Sequence, residues 1–89
     1  MAVVNKFLSG RRILVVEDEM LVLMETQDML ADLGCDAVVA AATNEQAIAL
    51  IEAQHFDAAL LDLRLAQEQG LDVLPRLLSL APELSVVVV

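Results

Sequence analysis

Two short runs of this chain are almost wholly aliphatic, and both stop at carboxylates. The first, Ile13-Leu14-Val15-Val16, runs into Glu17-Asp18-Glu19; the second, Ala58-Ala59-Leu60-Leu61, runs into Asp62. Uninterrupted apolar residues suit strands covered on both faces, as in a parallel sheet, whereas a strand with one wet face alternates apolar and polar residues. If the two strands lie parallel and adjacent, Glu17, Asp18 and Asp62 share one edge of the sheet. That edge is where open α/β sheets place their sites. Carboxylates crowded to about 4 Å repel by roughly 4 kcal/mol at an effective dielectric near 20, so the cluster calls for a cation. Oxygen-only ligands favour a hard ion such as Mg2+.

The rest of the chain alternates around these runs. Residues 1–10 read as a lead-in and residues 12–17 as a strand. A helix follows over about 19–33, with Val22, Thr26, Met29, Leu30 and Leu33 on its inward face at helical spacing. Gly34 ends it, because glycine takes a left-handed conformation at little cost. Residues 36–41 read as a second strand. Thr43-Asn44-Glu45-Gln46 has the pattern of a capping box. It opens a helix running to about Ala53 with Ala47, Leu50 and Ile51 inward. Residues 57–62 form the third strand and 63–69 a loop closed by Gly70, where a tight backbone turn suits glycine. A third helix over 71–80 carries Pro75 near its start, where proline costs least. A fourth strand runs from Ser85 to Val89. The order βαβαβαβ predicts a doubly wound parallel sheet, and the strand-end carboxylates converge only if the first and third strands are neighbours, which gives the strand order 2-1-3-4 of flavodoxin-like folds.

Composition narrows the function classes. Eighty-nine residues make one domain at most. The chain is 58% hydrophobic with two Phe and neither Tyr nor Trp, which predicts an aliphatic core and argues against disorder despite the net charge of -9. The basic residues Lys6, Arg11, Arg12, Arg64 and Arg76 are scattered, so no phosphate-tracking stripe exists and no direct nucleic-acid contact is expected. The acidity points to cations or basic protein surfaces as partners. Cys35 stands alone, which excludes an internal disulfide framework. No run has the length of a membrane span or a signal sequence, which leaves a cytoplasmic protein as the expectation.

At the level of ordered segments, the chain resembles the receiver domain of two-component response regulators. The matching residues are Ile13-Leu14-Val15-Val16-Glu17-Asp18-Glu19, Leu60-Leu61-Asp62-Leu63-Arg64-Leu65 and Gly70-Leu71-Asp72-Val73-Leu74, in the family's order and spacing. The likeness extends over nearly all of the chain from Arg11, so residues 11–89 are expected to be the receiver. It implies that Asp62 is the phospho-acceptor, supplied by a sensor histidine kinase or a phosphotransfer protein. It implies that Asp18 and Asp62 hold Mg2+, with Glu17 acting through the ion's water shell and the backbone carbonyl of Arg64 adding an oxygen. The family's strand-four hydroxyl residue, strand-five lysine and aromatic switch residue have no counterparts up to Val89, and Ala66 stands where the family often has proline. The expectation is a receiver incomplete at its C-terminus, prone to self-association through the first helix or the strand-four edge.

Each of these residues also has a plainer reading. Glu17, Asp18 and Glu19 suit a helix N-terminus as solvated acids, and only their pairing with Asp62 argues for more; Glu19 is read as a helix-start acid alone. His55 is read as a solvent-facing loop residue, since no Cys or second His joins it in a zinc pattern. Cys35 is read as a small packed residue. Met20, Met24 and Met29 are read as core or partner contacts. The Arg64 side chain is expected in solvent. Two other functions compete with the phospho-acceptor. One is an interaction module that does not switch. The other is a Mg2+-dependent aspartyl phosphohydrolase, disfavoured because Arg64 occupies the position two residues after the nucleophile, where such enzymes commonly place a second Asp.

Overall fold

The computed structural model of the chain describes residues 9–62, 64, 65 and 73–89. Lys6, Ala66, Gly70 and the Leu71-Asp72 start assigned to the third helix lie outside the described residues. Four strands form one parallel sheet: β1 (Arg12–Val16), β2 (Ala37–Ala41), β3 (Ala58–Leu61) and β4 (Ser85–Val88), in the order β2-β1-β3-β4. Between them run α1 (Met20–Asp32), α2 (Asn44–Ala53) and α3 (Val73–Leu80). The flavodoxin-like order expected from the placement of the carboxylates is the order found.

Side chains of β1 alternate between two apolar layers, because successive Cβ atoms of a strand point to opposite faces. Leu14 and Val16 enter a cluster with Ala47, Ile48 and Ile51 of α2 and Val73 and Leu77 of α3. Ile13 and Val15 face the other way, toward Leu30 and the half-buried Leu23 of α1. The sheet is therefore covered by α2 and α3 on one side and by α1 on the other.

Helix ends follow the local chemistry. Thr43 Oγ1 accepts the Gln46 N–H at 3.1 Å, and Gln46 Oε1 accepts the Ala42 N–H at 2.8 Å. The reciprocal cap thus reaches back to Ala42 rather than to the cap residue itself. Gly34 follows α1 at φ +93°, the left-handed stop expected of it. Arg64 and Leu65 are helical, where the sequence reading had loop.

The inward face of α1 differs from expectation. Leu30 is buried as expected and Thr26 and Leu33 are half-buried, but Val22 and Met29 are 41% and 58% exposed, and Leu23 joins Leu30 on the line facing the sheet. Counting periodicity on α1 could not locate this line, since Met20, Leu21, Val22, Leu23 and Met24 offer apolar residues in every direction. The helix meets the sheet along one stripe, and its remaining apolar residues stay in water.

Candidate functional site: an acidic cluster at two strand ends

Register builds the site. Val16, the last residue of β1, pairs with Leu61, the last of β3, and with Ala41, the last of β2. The ladder extends one step beyond each strand. The Glu17 N–H donates to the Ala41 carbonyl at 2.9 Å, and the Asp62 N–H donates to the Val16 carbonyl at 3.2 Å. Two residues far apart in sequence thereby leave neighbouring strands side by side. Leu61 and Leu65 are both 1% exposed in the layer beneath α2 and α3, so core residues bracket Asp62 and Arg64.

Glu17, Asp18 and Asp62 each offer a carboxylate oxygen, and the three oxygens lie within 4.8 Å of one another. The residues differ in burial: Glu17 is buried, Asp62 half-buried and Asp18 exposed. Glu17 Oε1 accepts the Glu19 N–H at 3.0 Å. Burial pushes the Glu17 carboxyl above the usual carboxylate range, and the charges of Asp62 and Asp18 add to the rise, against the lowering effect of that backbone bond. Asp18 moves the other way, held low chiefly by its hydrogen bond from Arg64. Glu19 occupies the N-cap of α1 without a side-chain capping bond.

The Arg64 side chain is exposed, as expected, but it is not free in solvent: it folds over the carboxylates. Its Nη2 lies 2.7 Å from Asp18 Oδ1, 3.3 Å from Asp62 Oδ2 and 3.8 Å from Glu17 Oε1. Its backbone N–H donates to Asp62 Oδ1 at 2.9 Å. The concentrated negative charge of three carboxylates draws the guanidinium back over the cluster. Sequence reasoning had the signal, a base two residues after a strand-end acid, but weighed the side chain alone.

The opposite end of the sheet holds a separate polar lock. The Arg12 N–H donates to Asp57 Oδ2 at 2.8 Å and the Asp57 N–H to the Arg12 carbonyl at 2.8 Å. Arg12 also donates to the His55 carbonyl at 3.0 Å and to Gln54 Oε1, and its guanidinium lies 5.7 Å from the Phe56 ring centroid. The Arg12 N–H is the main cause holding Asp57 below the usual carboxylate range. His55 is exposed as read, 3.4 Å from Asp57 Oδ1. Cys35 is half-buried against the α1 layer, and burial raises its thiol. A hollow of about 390 Å³ lined by Ile51, Phe56, Leu80, Pro82 and Leu84 opens at this end, away from the acidic cluster. The carboxylate chemistry therefore sits at the sheet edge and not in the hollow.

Residues 13–89 match the family described as response regulator receiver domain. The chain belongs to that family. The receiver is 44% identical over 78 residues to the alginate biosynthesis transcriptional regulatory protein AlgB of Pseudomonas aeruginosa, a match covering 88% of this chain and 17% of AlgB. It therefore spans a small part of the length of that relative. Among solved structures it is similar to a CheY-like receiver domain protein from Methanospirillum hungatei, with TM-score 0.79 and 31% identity over 90% of this chain and 63% of that one. It is also similar to a response regulator from Burkholderia pseudomallei with a phosphorylated aspartic acid, calcium ion and citrate. That match has TM-score 0.79 and 26% identity over 89% of this chain and 46% of that one. Among the described residues, no helix of this receiver is long and apolar enough to cross a membrane.

Proposed function

We propose that residues 11–89 form a phospho-accepting receiver, after a lead-in over 1–10, with Asp62 as acceptor and a sensor histidine kinase or phosphotransfer protein as donor. The observation that carries this reading is the convergence of Glu17, Asp18 and Asp62 within 4.8 Å at the ends of two adjacent parallel strands. Family membership supports it, and so does the phosphorylated aspartic acid of the Burkholderia relative. The role is regulatory, and the place of action is the cytoplasm.

The donor set fits a hard divalent cation, since all three groups present oxygen. Asp18 and Asp62 would bind Mg2+ directly, Glu17 would act through its water shell, and the Arg64 carbonyl would add a ligand. When bound, the ion neutralises charge between a carboxylate nucleophile and an anionic phosphoryl group. Asp62 itself supplies the nucleophile. One of its Oδ atoms forms the new O–P bond as the donor's P–N bond breaks, and the electron pair leaves with the imidazole. Half-burial limits water at Asp62 while leaving the carboxylate reachable. Little covalent assistance is needed, because phosphoryl transfer is mostly positioning and electrostatics.

Acetyl phosphate with Mg2+ tests the assignment, the donor's P–O bond breaking there in place of P–N. Mass spectrometry is expected to place the phosphoryl group on Asp62. Asp62→Asn abolishes the label and Asp18→Ala removes most of it, while Glu19→Ala leaves it nearly unchanged. Labelling that survives Asp62→Asn overturns the acceptor assignment.

A second copy of this chain is a further proposed partner. Met20, Leu21 and Met24 of α1 are 65%, 71% and 51% exposed, and Val87 of β4 is 47% exposed. The outer edge of β4 pairs with no strand among the described residues. Exposed apolar strand edges favour pairing with another chain.

A further inference from the structure

Arg64 places one nitrogen within 4 Å of all three carboxylates that define the site. Its main chain is tied to the same place, because its N–H is bonded to Asp62 Oδ1 and the next residue, Leu65, is locked in the core. The exposed guanidinium thus starts from a backbone anchored beside the cluster. It also has a task there. Glu17 is buried beside Asp18 and Asp62, and one guanidinium nitrogen 2.7, 3.3 and 3.8 Å from Asp18, Asp62 and Glu17 offsets part of the repulsion among the three carboxylates.

One guanidinium against three carboxylates leaves the cluster negative, so a doubly charged ion is still attracted. The two cations are poor neighbours, however. An ion held directly by oxygens of Asp18 and Asp62, with Glu17 reached through its water shell, would lie within a few ångströms of Nη2, and like charges at that range repel. Asp18 sharpens the conflict, because the oxygen held at 2.7 Å by Arg64 belongs to a carboxylate needed by the ion.

We propose that Arg64 is an internal cation plug, holding Glu17, Asp18 and Asp62 together and leaving them when a divalent ion binds. This rests on the reading of those carboxylates as a cation site. Divalent-ion affinity is then a difference between two occupancies, and Arg64 sets the ion concentration at which the site becomes competent. It acts as a positioning residue for the carboxylates and as a competitor of the metal. Arg64→Gln is expected to raise Mg2+ affinity by about three- to tenfold at low ionic strength, the scale on which exposed ion pairs act, and by less in high salt, which screens such pairs. The same change lowers the melting temperature without Mg2+ and enlarges the rise that Mg2+ produces, because a ligand that binds the folded state stabilises it in proportion to its affinity.

The experiment is an NMR titration of the full chain, its Arg64→Gln variant and its Arg64→Lys variant with MgCl2. Backbone amides of residues 17–19 and 62–65 and the Arg64 Nε–H signal are followed together. The plug predicts that in the unmodified chain the Nε–H signal moves in step with the amides of 17–19 and exchanges faster with water at saturation. Arg64→Lys keeps the charge, so its affinity falls between the other two. Binding at residues 17–19 and 62–65 that is equal or weaker in Arg64→Gln, or an Nε–H signal unmoved at saturation, overturns the plug and leaves the cation site standing. No Mg2+ response at those residues in either the unmodified chain or Arg64→Gln overturns the cation site and the plug with it. If Arg64→Gln does not fold, the Nε–H signal of the unmodified chain and the Arg64→Lys affinity still decide.

Discussion

The two faces of the sheet are made from the same strands and are covered to very different degrees. Toward α2 and α3 the buried residues form a layer running from Leu14 and Val16 through Ile48, Ile51 and Leu61 to Leu77 and Leu84. Toward α1, Ile13, Val15 and Leu30 are buried among the described residues, while Val38, Ala58 and Leu60 remain half-exposed. The difference shows where the stability of the site comes from. Leu61 and Leu65 flank Asp62 and Arg64, and both belong to the well-covered layer. The acidic cluster therefore hangs from the stronger face, and the α1 face is left with apolar surface to offer.

Core truncation should expose the contrast most clearly. Leu14→Ala on the α2/α3 side is expected to cost toward the upper part of the roughly 2–5 kcal/mol range for buried Leu→Ala changes, and Leu30→Ala on the α1 side toward its lower end. Urea midpoints of the two variants measure this; equal losses would mean that the faces are energetically alike. Next in size is a change with little cost in stability. Met24→Glu on the exposed side of α1 should shift the unfolding midpoint by no more than about 0.5 kcal/mol yet weaken self-association in sedimentation at several concentrations. If Val87→Lys weakens association and Met24→Glu does not, the β4 edge and not the α1 face is the contact.

The smallest expected effect sharpens the comparison at the site itself. Glu17 is buried, and its carboxyl takes up a proton more readily in the folded chain than in the unfolded one. Stability tied to that group is fully present below the ordinary carboxylate range and is lost as pH rises through the raised folded value. Glu17→Gln removes this loss. The variant should be somewhat more stable than the unmodified chain at neutral pH, with the gap closing as pH falls into the carboxylate range. Thermal melts across that window check it; a gap that widens on acidification would reverse the sign and place the cost elsewhere.

Much of this was readable from residues in order. Strand runs such as Ile13 to Val16, the Thr43 cap and the Gly34 stop are short-range features, so local sterics and hydrogen bonding declare them. Strand ends differ from the reading by a residue or two, since pairing and not composition decides where a ladder stops: β3 closes at Leu61 and β4 at Val88. The site residues Glu17, Asp18 and Asp62 were legible as acids ending apolar strands. Their convergence needed the parallel register of β1 with β3, which the βαβ alternation constrains but does not count out residue by residue.

The chain order alone determined the alternation and the acids at the strand ends, because each follows from periodicities and connection rules that act over a few residues or a single crossover; the strand order followed only from requiring those acids to meet. Tertiary structure decided which stripe of α1 meets the sheet, since its apolar residues point in too many directions for spacing to choose among them. It also decided the place of Arg64. An arginine side chain has many rotamers of similar energy in water. The choice falls to the combined field of three carboxylates, two of them brought from β1 to the end of β3 by the fold.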